Sequence, residues 1–352
     1  MPGYKPKRKG EMANKTVLIF FSAGIGDAVL MLPLLRKLKK SDYKVTAIFS
    51  GIHNPEQIFE EKDLFHSVKV SDGSFFNLFL WILKMPRFDL AIINNFSAGR
   101  KNFLLASIRS KKIFTHQRKS HTGLARFISK VVQVDARPYT HDAVQNLLLG
   151  GFPLEFQCID LRKESLSPVP KKFLTPYIVI QAVGNTAAAY KNWPLRNWSQ
   201  LIDKMVVLFP RLEFVILGDE REVRGLKSNF SKNAGFHFFT QLKLNEISAL
   251  LEGARFFVGH DGGLMHISVA AGIPTFTIWG PSSEFVYGYE QFDKERHRCI
   301  AAQVSCRPCS VWSGGNRSRV DHPEKCPDLA CMQTLTHEEV LKELKLFAVK
   351  FV

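Results

Sequence analysis

Short apolar runs recur along the chain, most of them apolar at consecutive rather than alternate positions. They are "VLIFF" (17–21), "KVTAIF" (44–49), "DLAII" (89–93), "YIVIQ" (177–181), "EFVIL" (213–217), "GFHFF" (235–239), "RFFVG" (255–259) and "TFTIW" (275–279). Runs of this length that are apolar almost throughout predict strands buried on both faces. Between them lie helix-period stretches such as "DAVLMLPLLRKLKK" (27–40) and "NEISALLEG" (245–253). Strand and helix patterns in alternation predict an α/β chain with doubly wound parallel sheets.

The alternation breaks at "RKESLSPVPKKFLTP" (162–176), where three prolines and four basic residues give the composition of a linker. A chain of 352 residues also exceeds the usual reach of one hydrophobic core. Two domains of similar size are therefore expected to face each other across a cleft, 16–165 and 166–335, divided near residue 168. A basic tail, 1–15, precedes them. A closing segment, 336–352, follows, with a helix from Thr336 to Val349 opened by the capping-box start "THEEV".

Charge narrows the partners. Lys and Arg number 48 against 32 Asp and Glu, a formal +16, which favours a phosphorylated small molecule, a nucleic acid or an anionic membrane face. No acid lies between Asp89 and Asp135, while nine basic residues do, Arg109, Lys112 and Arg118 among them. A solvated basic face is the plain alternative to an anionic acceptor there. The longest apolar run, Phe75 to Leu83, is far short of the ~18 residues that span a bilayer. The N-terminal basic residues precede too few apolar ones for a secretory signal, so a cytoplasmic location is expected, with peripheral contact at the inner membrane surface allowed by the charge.

Chemistry is expected in the loops that follow strands. In "FFSAGIGDAVLMLP" (20–33), Gly24 and Gly26 open a turn and Asp27 sits at the start of a helix, where a cap is its plain role. In "YIVIQAVGNTAAAYKNWP" (177–194), small residues and Thr186 allow backbone N–H groups to approach a phosphate, and Lys191 supplies a point charge. In "FVGHDGGLMHISVAAGIP" (257–274), Gly262 and Gly263 open a helix whose positive end suits a diphosphate. Asp261 would repel that phosphate, so it is read as an acceptor for sugar hydroxyls. His266, among apolar neighbours, reads as a packing residue, and its spacing from His260 argues against a shared metal. Gly280 and Ser282, in "WGPSS" (279–283), offer a further anion-suited turn.

Cys306-x-x-Cys309 and Cys326-x4-Cys331 are separated by sixteen residues. The widened second pair departs from a zinc pattern, and reduced thiols in a packed loop are the plain reading, with a structural metal as the alternative.

"SAGIGDAVLMLPLLRKLKK", "KNWPLRNWSQLI", "GHDGGLMHISVAAGIPTFTIWGPSS" and "CPDLACMQTLTHEEVLKEL" together resemble the heptosyltransferases of glycosyltransferase family 9, which build the lipopolysaccharide inner core. The resemblance implies a GT-B fold, with an N-terminal Rossmann-like domain for the acceptor, a C-terminal one for the nucleotide sugar, and a closing helix that packs back on the first. It implies inverting transfer without a divalent metal or other cofactor, commonly from ADP-L-glycero-D-manno-heptose, onto an anionic glycolipid or glycan. By that similarity Asp27 is the general base, Lys191 and Thr186 serve the donor phosphates, and Asp261 holds the donor sugar, with Gly262, Gly263 and His266 completing the motif. Where many relatives have Asp-Thr-Gly or Asp-Ser-Gly, this chain has Asp-Gly-Gly and lacks one hydroxyl.

Two other classes are weighed. A nucleotide-dependent oxidoreductase would have a third glycine where Val29 stands and an acid ending the second strand. A nucleic-acid-binding protein would interleave aromatics with the basic residues, and only Phe103, Phe114 and Phe127 fall in 100–130. No nucleic-acid partner is expected.

Overall fold

The computed structural model of the chain describes residues 15–21, 24–51, 54–59, 64–116, 128, 130–137, 139–153, 176–184, 186–233, 235–309 and 323–352, without the side chains of 186–188. The basic tail up to residue 14, the linker segment 162–175 and Arg118 lie outside these. The chain divides into two compact units, residues 1–136 with 143–155, and residues 137–142 with 156–352. The short stretch 137–142 belongs to the second unit.

In the first unit β1 (Thr16–Phe21), β2 (Lys44–Phe49), β3 (Ser67–Val70), β4 (Phe88–Ile93), β5 (Ser110–His116) and β6 (Val131–Val134) form a sheet in the order β3-β2-β1-β4-β5-β6. All its pairings are parallel. Val17, Leu18 and Ile19 of the central strand are fully buried, as a run apolar at every position requires. The single helical pattern over 27–40 resolves into two helices, Ile25–Val29 and Leu32–Lys40. Pro33 causes the break: it has no N–H to donate back to Val29, and it fits the first turn of a new helix.

The second unit repeats the plan. β7 (Tyr177–Ile180), β8 (Glu213–Leu217), β9 (Phe236–Phe239), β10 (Phe257–His260), β11 (Thr275–Trp279) and β12 (His297–Ala301) form a parallel sheet in the order β12-β11-β10-β7-β8-β9. Strand order reverses between β1 and β4 in one sheet and between β7 and β10 in the other, and the crevice beyond the carboxyl ends of such strands is where α/β sheets take ligands.

Trp193, Trp198, Met205 and Phe256 lie in the core of the second unit, and the closing helix, His337–Ala348, adds Val340, Leu344, Phe347 and Ala348 to the same core. Thr336 caps it, accepting from the Glu339 N–H, as the sequence indicates. The helix packs against the helix Leu195–Leu208 and β12 of the second unit. Among the described residues no helix is long and apolar enough to cross a membrane.

Candidate active site

Three loops, those after β7, β10 and β11, meet around one carboxylate. Asp261 follows β10 directly and is buried. Its Oδ2 accepts from the Lys191 ammonium at 2.7 Å and from the Ser282 hydroxyl at 2.5 Å. Burial alone would raise the pKa of Asp261; the Lys191 charge, then the hydrogen bonds from Lys191 and Ser282, outweigh it and hold the carboxyl below its usual range. Lys191, Asp261 and Ser282, far apart in sequence, are thus brought together.

The loop that carries Lys191 is held by a contact the sequence reading passed over. The Trp193 backbone N–H donates to His260 Nε2 at 2.9 Å, and the Trp198 indole N–H reaches the same atom at 3.3 Å. His260 therefore accepts through Nε2 and is neutral, burial pushing its pKa down to about 3. Trp193 also donates from its ring to the Leu335 carbonyl at 2.9 Å. Residues 191 and 193 are in this way latched to residues 261 and 260, and the signal was the "GHD" and "KNW" pair itself.

His266, on the helix Gly263–Ala270, places Nδ1 2.7 Å from the Tyr289 hydroxyl. Burial pushes its pKa down to about 4, so the ring is neutral near pH 7. Tyr289, not foreseen from the sequence, lies between His266 and His141, with ring centroids 5.6 Å and 5.1 Å away. Packing is thus part of what His266 does.

The glycines separate into two kinds. Gly262 is extended, φ −179°, and a Cβ there would meet nothing within 4 Å, so the space beside it is open. A Cβ on Gly280 would fall 2.4 Å from Met332 Sδ, and its carbonyl accepts from Arg307 Nε at 3.0 Å. Packing therefore accounts for Gly280, which the sequence offered as part of an anion-suited turn. Three residues on, the buried Ser283 hydroxyl finds no hydrogen-bond partner among the described residues, and it borders a hollow of about 480 Å³ walled by Tyr139, Phe285 and Pro308. Thr186 begins the short helical turn Thr186–Lys191, beside the site in sequence; its side chain is outside the described atoms.

In the first unit Asp27 is the third residue of the helix Ile25–Val29, and its Oδ2 accepts from the Gly24 N–H at 2.9 Å. Asp27 thus satisfies an N-terminal donor from within the helix and not from the capping position. Gly24 and Gly26 accompany it after the carboxyl end of β1. Arg109 and Lys112 do not. Ser110 pairs with Phe88 and Lys112 with Leu90, which is itself level with Val17, so both basic residues lie at the amino end of the sheet. Four residues of β1 separate that level from Phe21, roughly 13 Å. Arg109 and Lys112 therefore lie at the other end of this sheet from Gly24, Gly26 and Asp27, because parallel strands carry them there.

Cys306, Cys309, Cys326 and Cys331 line one small cavity with Arg307 and Pro281. All four are free thiols, and burial, followed by the neighbouring thiols, raises the pKa of Cys331 to about 11. Among the described residues no group of three or more His, Cys, Asp or Glu is arranged to hold a metal.

Two Rossmann-like parallel sheets in one chain, with a charged site at the β7/β10 switch point, define the GT-B class. In sequence, the model of glycosyltransferase family 9 (heptosyltransferase) matches residues 140–313. Lipopolysaccharide heptosyltransferase 1 of Salmonella typhimurium strain LT2 is 29% identical over 116 residues, 32% of this chain and 35% of that protein. The match thus spans about a third of that relative's length. In fold, the family 9 glycosyltransferase of Veillonella parvula superposes with a TM-score of 0.68 at 16% identity, covering 97% of this chain and 99% of that one. The Escherichia coli heptosyltransferase WaaC with ADP-2-deoxy-2-fluoro heptose gives 0.67 at 17% identity, with 94% and 99% covered. In sequence over residues 140–313, and in fold over nearly its whole length, the chain is thus similar to glycosyltransferase family 9, to which lipopolysaccharide heptosyltransferases are matched.

Proposed function

We propose that this protein transfers a heptosyl group from a nucleotide diphosphate sugar, ADP-L-glycero-D-manno-heptose being the first candidate, to a hydroxyl of an anionic lipopolysaccharide-core glycan, with inversion and without a metal ion. The observation that carries the reading is the junction of Lys191, Asp261 and Ser282 beside the start of the helix Gly263–Ala270.

A carboxylate has about four acceptor positions, so Asp261 can keep Lys191 and Ser282 and still accept from sugar hydroxyls. The free N–H groups of the helix start and the Lys191 ammonium stabilise the negative charge that develops on the departing diphosphate. Asp27 takes the acceptor proton as the acceptor oxygen attacks the anomeric carbon. The bond from that carbon to the diphosphate oxygen breaks, the diphosphate leaves with the electron pair, and a single displacement inverts the centre. The donor would be met in the cytoplasm.

A second reading within the same chemistry, another nucleotide sugar, is favoured by Gly262, where the usual hydroxyl is missing. Thermal protection by a panel of ADP-, UDP- and GDP-sugars tests both. Protection by ADP-heptose that Lys191→Met weakens is the expected result. Protection by a UDP- or GDP-sugar alone would select the second reading, and protection by none would overturn both.

A further inference from the structure

The helix Phe75–Lys84, "FFNLFLWILK", turns an apolar stripe to each side. Leu78 and Ile82 are buried in the core of the first unit. On the opposite side Phe76 is 65% exposed, Leu80 41% and Leu83 37%. Positions 76, 80 and 83 are four and three apart and so fall on one line of the helix. An outer helix of a doubly wound sheet normally carries polar residues there, and a contiguous exposed apolar stripe marks a docking surface. The helix Arg100–Arg109 packs alongside and exposes Leu104 at 46%.

The sequence around this helix is cationic. Between Asp72 and Asp135 the only acid is Asp89, against eleven Lys and Arg. Asp89 is occupied, accepting from Lys111 Nζ at 2.7 Å and from the Thr16 N–H at 3.0 Å. Lys84, Arg87, Arg100, Lys101 and Lys112 are exposed. The Arg109 guanidinium donates to the Leu83 carbonyl and closes the end of the striped helix.

We propose that this face docks on the anionic surface of a lipid bilayer, Phe76, Leu80 and Leu83 entering the boundary between headgroups and chains while the flanking Lys and Arg meet lipid phosphates. Apolar residues along one line with lysine and arginine around them are what an interfacial helix requires. A nucleic acid would match the charge and leave the stripe uncovered. A second copy of the chain would set like charges against one another.

Co-sedimentation of the full chain with phosphatidylcholine vesicles, with and without phosphatidylglycerol, tests this without any donor or acceptor, so its outcome is separate from that of the transfer reading. Binding is expected only to the anionic vesicles, and each basic residue removed near the surface, as in Lys84→Gln or Arg87→Gln, weakens it about fivefold. The double variant Phe76→Ser with Leu80→Ser changes only exposed side chains. It is expected to keep the circular dichroism spectrum and lose at least tenfold in vesicle affinity, roughly the loss of two partly inserted apolar side chains. Undiminished binding of that variant would overturn the proposal, because charge adsorption alone would then account for it. Absence of binding to anionic vesicles would overturn it too, as would a vesicle-indifferent dimer that the double variant dissociates.

Discussion

Replacing Lys191 with Met keeps the length of the side chain and removes its charge, leaving Asp261 with the Ser282 hydroxyl as the remaining contact described for Oδ2. Removing one partner of a fully buried ion pair costs roughly 3–5 kcal/mol, because the other charge stays desolvated and uncompensated. Here the Lys191 side chain is 26% exposed and that of Asp261 7%, so water relieves part of the cost and about 2–3 kcal/mol is expected near pH 7. The assay is urea unfolding followed by tryptophan fluorescence, since Trp193 and Trp198 stand beside the pair. The dependence on pH has a definite sign. In the native protein the Asp261 pKa is depressed, so its contribution is present above the ordinary carboxylate value of 3.8 and is lost as pH falls through the depressed one. In the variant, burial is no longer offset by Lys191 and the Asp261 pKa shifts upward, so the penalty is largest at neutral pH and shrinks as the buried carboxylate takes up a proton. The two proteins should therefore draw together as pH falls and coincide only below the depressed native pKa of Asp261. Asp261→Asn added to Lys191→Met should recover part of the loss at neutral pH. A single variant within about 0.5 kcal/mol of the parent, or a double variant whose loss is the plain sum of the two singles, would refute the idea that this pair is a coupled, desolvated unit.

Asp27→Asn should lose on the order of 100-fold in turnover with donor affinity unchanged, measured by single-turnover transfer and by calorimetry, because the amide oxygen can still accept from Gly24 N–H and only the base is gone. Gly262→Ser should change stability by less than about 0.5 kcal/mol, since the backbone there is extended and the space around it is open; a loss above about 2 kcal/mol in denaturant would contradict that account. Gly280→Ala, in contrast, should cost about 1–3 kcal/mol in the same measurement, because its methyl would collide with buried Met332.

The hydrophobic pattern determined more of this molecule than its loops did. Seven of the eight apolar runs became central strands or their immediate neighbours, largely buried, and a strand covered on both faces must be apolar at nearly every position. β3 and β6 are sheet edges, and β5 carries exposed Lys111 and Lys112, so their runs are mixed and could not be told from loop. Asp261, Lys191 and Ser282 were legible one at a time, as small residues and charges after predicted strands. Only the parallel pairing of β7, β10 and β11 set their loops at one end of one sheet, where hydrogen bonds could join them. The same rule separated Arg109 and Lys112 from Asp27, because a residue before or early in a strand and a residue after a neighbouring one lie at opposite ends of a parallel sheet, whatever their charges suggest. The closing helix shows the limit as well: its cap and apolar stripe are local and were fixed by the sequence, but the surface that stripe covers depends on which core leaves an apolar gap for it, and only the tertiary structure decided that.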